Sequence, residues 1–370
     1  MHIENIKLIN YRNYDKLQIK LNKKLNIFIG NNAQGKTNLL ESIYICAFGK
    51  SYRAAKEKEL IKIDKDKAYI GINVRWDFID KFIEIKFEKK RPKRIRINKI
   101  EIDRMSDLFG NLNVVLFSPE DLKLVKEGPS NRREFLDTEI SQIKPKYRYN
   151  INRYSKILKQ RNNLLKSVQI NNNKLKTIEV WDMQLADVGS EIIKERIEFI
   201  EKISKISKNI HKNITDGIEE LELKYMPSFN IDCELSKKEI KETFIKVLNK
   251  NLSKDIEKGT TEFGPHRDDI KININGLDVK TFGSQGQQRT AALSMKLAEV
   301  ELVKSEIGEY PVLLLDDVLS ELDLKRRKFL LSAFKDIQTI ITSTEDIDVL
   351  NISKEDKKVF YVSKGNIVNV

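Results

Sequence analysis

The sequence predicts an α/β fold: a mixed sheet with an antiparallel β subdomain, interrupted by an inserted helical domain that carries an antiparallel helical hairpin. Three observations carry that prediction. Residues Gly30–Thr37 read GNNAQGKT, a glycine-bracketed loop between the apolar run Leu25–Ile29 and the helix-like stretch 38–43. Residues 310–317 form an apolar run ending in two carboxylates, the sequence form of a buried parallel strand. Between these two stretches lie two apolar seams at heptad spacing.

Residues 2–30 read as strands: Ile3, Ile6 and Leu8, a turn at 10–15, an alternating stretch at 17–21, and the strand that enters the glycine loop. A helix over 39–48 follows, with a short helical piece at 56–61. Alternation returns from Tyr69 to about Ile102, in stretches that read as half-buried antiparallel strands. Within them Lys89-Lys90-Arg91-Pro92-Lys93-Arg94, with Arg96 and Lys99 beyond, forms a very basic hairpin tip. Two readings stand for it, a grip on phosphates and a solvated edge protected by charge.

Residues 114–117 are a short apolar strand. Ser130 and Asn131 cap a helix running to about Ile140, with Pro145 breaking it. Tyr147, Ile151, Tyr154, Leu158, Leu165 and Val168 then form one seam. Trp181, Leu185, Val188, Ile192, Phe199, Ile203, Ile206 and Ile210 form the other, across the polar loop 169–174. Twenty-odd residues a side make a hairpin arm of roughly 30–35 Å; the interior of a compact bundle has the same periodicity. Trp181 is most simply a seam residue. Asn275-Gly276 marks a β-hairpin, and a helix runs from about Gln287 to Ile307.

The glycine loop matches G-x-x-x-x-G-K-[ST] in its strand–loop–helix context. Gly30 and Gly35 let backbone N–H groups converge on a phosphate, Lys36 reaches the β- and γ-phosphates, and the Thr37 hydroxyl holds Mg²⁺. Asp316 and Asp317 emerge at a strand carboxyl end, beside that loop: one for Mg²⁺, the other to orient or deprotonate water. Helix capping by one of them is the competing reading. Ser284, Gly286 and Gln287 open a helix and form a second anion-binding N-terminus. Tyr11-Arg12-Asn13-Tyr14 reads as a turn near the surface, either stacking on a base or a plain loop. His266 either touches a polyanion or organises a turn, and Arg267 is open in the same way.

Lys and Arg outnumber Asp and Glu by 68 to 55, a formal charge of +13, which favours polyanionic partners or an acidic membrane surface. The weight of that is small, because the chain is rich in Lys, Ile and Asn throughout. Two cysteines, Cys46 and Cys233, exclude a disulfide scaffold and suit a reducing cytosol. No signal peptide or apolar span is visible, so a soluble cytoplasmic protein without membrane association is expected.

GNNAQGKT, SQGQQR at Ser284–Arg289 and LLLDD with the following SELD resemble the Walker A, signature and Walker B/D-loop elements of ABC-type ATPase heads in SMC-like repair proteins. GNNAQGKTNLL, SPEDL at Ser118–Leu122, GPHRDD at Gly264–Asp269 and SQGQQR together are similar, end to end, to the RecF family of bacterial recombination mediators. The resemblance implies an ABC-type head, with residues 1–125 and 255–370 forming it and 126–254 inserted as the helical arm. It implies ATP with Mg²⁺, phosphate contacts from Gly30, Asn31, Asn32, Ala33, Gln34, Gly35, Lys36 and Thr37, and metal held at Thr37 and Asp316. Asp317, Lys36 and Ser284 would be catalytic, Asp323 the D-loop carboxylate, and Ser284, Gly286 and Gln287 would act on the nucleotide of a second copy in an ATP-bound homodimer. Family partners are gapped single- and double-stranded DNA, RecR and RecO, and indirectly RecA, in DNA repair, replication and the SOS response. Two departures from the wider ABC pattern imply a weak, DNA-modulated ATPase: Asp317 stands where a glutamate is usual, and residues 340–344 offer hydroxyls in place of a switch histidine. An ABC-type module coupled to a partner other than DNA is the alternative.

Overall fold

The apolar run Leu25–Ile29 is the third strand of a six-stranded sheet ordered 366–369, 357–363, 25–29, 339–343, 312–316, 114–117. All neighbours pair in parallel except the edge strand Asn366–Asn369. Its three central strands, 25–29, 339–343 and 312–316, are buried along nearly their whole length because both faces are covered; Val312, Leu313, Leu314 and Leu315 are all fully buried. This is a computed structural model, and it describes residues 1–76, 79–169, 175–232, 234–332, 336–345 and 356–369. Cys233 and all but Gln169 of the expected loop 169–174 lie outside the described residues.

A second, antiparallel sheet of six strands is ordered 14–20, 2–11, 67–76, 79–88, 91–97, 100–101. One face turns Ile6, Leu8, Ile70, Ile72, Ile83 and Ile85 into the core, and the other faces water. The helix after the glycine loop begins at Lys36 itself and ends at Phe48, where Gly49 takes the left-handed conformation that releases the chain. The short piece near 56–61 is a single 3₁₀ turn, Glu57–Leu60.

By its contacts the chain divides into Met1–Asp121 with Lys296–Val370, and Leu122–Met295. Residues 255–295, grouped by their motifs with the head, pack within the second of these. There, Gly128 rather than Ser130 or Asn131 stands at the helix N-cap, and Pro129 occupies the first helical position of Pro129–Ile143. Pro145 likewise opens the next helix, Pro145–Val168, because a proline at N1 forfeits no hydrogen bond. The second helix of the hairpin corrects the expected length. Leu175–Ile214 has 40 residues, roughly 60 Å at 1.5 Å per residue. It packs against helices 145–168, 129–143 and 237–250 and against strand Leu221–Met226. Its seam therefore serves a bundle: a Cβ at Gly189 would lie 2.7 Å from Phe244 and 3.1 Å from Tyr154. Trp181 is half-buried and stands outside that core. The Asn275-Gly276 turn has positive φ at both residues, 49° and 80°, and joins Asp269–Ile274 to Leu277–Asp278.

Candidate nucleotide site

The glycine loop is braced from three sides. A Cβ on Gly30 would lie 2.3 Å from the carbonyl oxygen of Val362, so only glycine fits there. Gly35 adopts φ +116°, a conformation side chains disfavour. Lys36 is buried, and its Nζ donates to the carbonyls of Gly30 at 2.6 Å and Asn31 at 3.0 Å. Asn31, Asn32 and Ala33 stand exposed on the rim. Gln34 is the clasp: its carbonyl accepts from Asn13 Nδ2 at 2.7 Å and from the Gly365 N–H at 3.2 Å, and its Oε1 accepts from the Lys364 N–H at 2.7 Å.

The turn Tyr11–Tyr14 is neither a base-stacking element nor a plain surface loop. Tyr11 and Tyr14 are fully buried. Tyr14 donates to the Gly35 carbonyl at 3.0 Å, and Tyr11 donates to Glu41 at 2.9 Å. Arg12 grips the same Glu41 carboxylate through Nε and Nη2, at 2.9 and 2.7 Å. Burial opposes the Glu41 charge, but the bonds from Arg12 and Ser51 outweigh it and hold the carboxyl below its usual range.

Thr37 and Asp316 meet. The Thr37 hydroxyl donates to Asp316 Oδ1 at 2.9 Å, while Tyr52 donates to Oδ2 at 2.9 Å. Thr342 Oγ1 lies 3.0 Å from Asp316 Oδ1 and accepts from the Asp317 N–H at 3.0 Å. Two hard oxygens from Thr37 and Asp316 suit Mg²⁺, which keeps most of its shell for water and phosphate oxygens. Burial, then the neighbouring Asp316, raises the Asp317 carboxyl, with Lys36 opposing. Neither aspartate caps a helix: Asp316 is bonded as described, and Asp317 precedes the turn Val318–Glu321 without a side-chain cap bond.

Ser284 and Gln287 form a reciprocal cap at the start of helix Gln285–Ile307, which opens two residues earlier than the sequence suggests. The Ser284 N–H donates to Gln287 Oε1 at 2.8 Å and the Gln287 N–H donates to Ser284 Oγ at 3.2 Å. Gly286 is exposed between them, and a Cβ there would meet nothing closer than 3.8 Å. Asp323 caps the helix Leu324–Ser332 by accepting from the Arg326 N–H at 2.9 Å.

His266 organises a turn: its ring nitrogens face the Tyr154 hydroxyl at 2.9 Å and the Thr261 carbonyl at 3.0 Å, while Arg267 is exposed. The basic hairpin tip is largely paired, Lys89 with Asp66, Lys93 with Glu57, Arg94 with Glu88 and Arg96 with Glu101. Among the described residues no helix is long and apolar enough to cross a membrane.

Residues 2–367 match the family described as RecF/RecN/SMC N terminal domain. The chain is 53% identical over 367 residues to the DNA replication and repair protein RecF of Alkaliphilus oremlandii, covering 99% of this chain and 100% of that one. It is 50% identical to the RecF of Clostridium novyi, covering 99% of each. The chain belongs to the RecF family. A solved structure of the recombination mediator protein RecF with ATP, in the RecFOR pathway, superposes with a TM-score of 0.94 at 37% identity, over 100% of this chain and 97% of that one. An Smc head domain from Pyrococcus furiosus shares the fold at a TM-score of 0.56 and 17% identity. Together with the mixed parallel sheet, these establish an ABC-type ATPase head with added helices.

Two contributors to the site escape the sequence reading altogether, Tyr52 and the Lys364-Gly365 turn, and each acts across a long sequence separation. Asn13 and Thr342 lie in stretches singled out for other reasons, and here Asn13 holds the Gln34 carbonyl while Thr342 bonds Asp316 and Asp317. The one available signal was Tyr11 and Tyr14 flanking a polar pair, a spacing that places both rings inward at a tight turn.

Proposed function

We propose that this member of a DNA replication and repair family is an ATP-gated clamp on gapped DNA, active in the cytoplasm. In this reading the head is residues 1–125 with 255–370, and 126–254 is the helical insertion. Residues Gly30 to Thr37 receive the triphosphate: backbone N–H groups and the start of helix Lys36–Phe48 face the phosphates, and Lys36 exchanges its carbonyl partners for phosphate oxygens. Mg²⁺ held at Thr37 and Asp316 would neutralise charge on the β- and γ-phosphates. Asp317, at the end of strand Val312–Asp316, orients and deprotonates the attacking water. Ser284, Gly286 and Gln287 of a second copy close the site in trans, the exposed helix start presenting its positive end to the phosphates once the Ser284–Gln287 cap yields. The short reach of Asp317 and the hydroxyl of Thr342 in place of a histidine make hydrolysis slow, so nucleotide mainly sets the assembly state. RecR and RecO would be the protein partners, and through them RecA loading, as the RecFOR context of the ATP-bound relative suggests.

The observation that carries this reading is the Thr37–Asp316 hydrogen bond beneath a braced phosphate loop. Light scattering with and without ATP tests it, comparing wild type with Lys36→Arg. The wild type dimerises with ATP and the variant does not; undiminished dimerisation of the variant rejects the clamp. Ser284→Ala should lose hydrolysis while keeping ATP binding.

A further inference from the structure

The solvent face of the antiparallel sheet carries a hollow of about 460 Å³ that no residue of the phosphate loop lines. Lys7, Lys67, Lys86 and Arg94 line it, together with Tyr69 and the carboxylate Glu88. The cations come from four strands adjacent in the sheet, so they span roughly 14 Å at 4.8 Å per strand.

Their placement costs stability. Lys86 and Arg94 are directly opposite in register, and like charges at such a pair repel. Glu88 relieves Arg94 at 3.1 Å and stands 3.8 Å from Lys67. Among the described residues Lys7 and Lys86 have no carboxylate partner. An anion in the hollow would satisfy what the protein leaves unpaired.

Tyr69 adds a second element of recognition. Its ring lies flat along the sheet over Gly71, where a Cβ would approach Tyr69 Oη to 2.5 Å. The hydroxyl donates to Glu84 Oε1 at 2.9 Å, which fixes the ring plane. A half-buried aromatic face directly opposite Lys86, with further cations in the same hollow, is a combination that holds an unpaired base between phosphates. A duplex keeps its bases inside the stack and cannot present one to Tyr69.

We infer that this face binds single-stranded nucleic acid, with phosphates on Lys7, Lys86 and Arg94 and a base stacked on Tyr69. The inference rests on the DNA-binding reading above and adds a second contact surface to it.

Fluorescence anisotropy with a labelled oligothymidylate tests it, without nucleotide and across a salt series, alongside gapped duplex with ATP. Lys7→Gln with Lys86→Gln should weaken oligothymidylate binding at least tenfold and reduce the salt slope by about 1.4, at 0.7 per phosphate contact. Tyr69→Ala should weaken it at least fivefold, and Tyr69→Phe, which keeps the ring, should stay within threefold of wild type. Lys7 and Lys86 are outside the core, so the lysine variants keep the test open if Tyr69→Ala fails to fold. Lysine variants that bind oligothymidylate like wild type overturn this surface while leaving the clamp on gapped duplex intact. A wild type that binds neither DNA overturns both.

Discussion

Tyr52 donates its hydroxyl to Asp316 Oδ2 at 2.9 Å, on the side of the carboxylate away from Thr37. Oδ1 is thereby left to face the phosphate loop. Tyr52→Phe removes that donor while keeping the edge contact with Tyr44 at 5.1 Å. The Mg²⁺ concentration for half-maximal nucleotide binding should rise about three- to tenfold, with a stability loss of about 1 kcal/mol. Titration of Mg²⁺ against fluorescent ATP analogue binding checks this. An unchanged midpoint would show that Tyr52 only fills space.

Arg161 is fully buried and is held by Asp182, Asp255 and Thr261. Removing the arginine leaves two buried carboxylates with no counter-charge. Arg161→Leu should cost about 3–5 kcal/mol, read as a lowered urea midpoint. Replacing Arg161, Asp182 and Asp255 together by apolar residues of similar volume should cost much less. If the single and triple variants lose the same amount, the charge argument is wrong and packing explains the loss.

His266 is held neutral. Burial is the main cause; Arg267, Arg133 and Arg196 add to it, the Thr261 carbonyl opposes it, and the result is about 4 against an ordinary 6.5. The unfolded chain takes up a proton below about 6.5 and the folded chain does not until near 4. The stabilising contribution is therefore complete above 6.5 and is lost as pH falls through that window. Between pH 7 and 5 the thermal midpoint of wild type should drop several degrees more than that of His266→Gln, at about 2–4 °C per kcal/mol. Parallel curves would exclude His266 as the source.

Phe282 is 68% exposed and lies two residues before Ser284, and Leu277, in the hairpin that leads to it, is exposed as well. In the proposed dimer a large apolar side chain beside Ser284 would be covered by the second copy. Phe282→Asp should weaken ATP-dependent self-association at least tenfold and leave ATP affinity unchanged. Analytical ultracentrifugation with and without ATP reads the first, and equilibrium dialysis the second. Intact self-association would place the contact elsewhere.

The parts that local chemistry dictates were legible in the sequence. The phosphate loop, the strand ending in Asp316 and Asp317 and the Asn275-Gly276 turn each depend on residues within one turn or strand of each other. What could not be read depends on chain segments meeting from far apart. Asn13 and Gly365 converge on the Gln34 carbonyl, and Tyr52 reaches Asp316 across 264 residues. The heptad seams were visible, but their partners were not: helix Leu175–Ile214 is long because strand 221–226 and helix 237–250 also cover it. The basic tip stood open between a phosphate grip and a solvated edge because two of its four carboxylate partners, Glu57 and Asp66, lie outside the hairpin.

Gln34 is clasped by the Lys364-Gly365 turn, and the strand leading into its loop is flanked by strands 339–343 and 357–363. Both neighbours of that strand are made more than 300 residues after it. On the ribosome the phosphate loop therefore emerges long before the strands that shape it. Helices and hairpins made in between can form as they appear, but competence to bind nucleotide arrives only when those two strands leave the exit tunnel. Nucleotide binding thus reports that synthesis has passed the strand 357–363, and a chain truncated before residue 357 would lack the grip on Gln34.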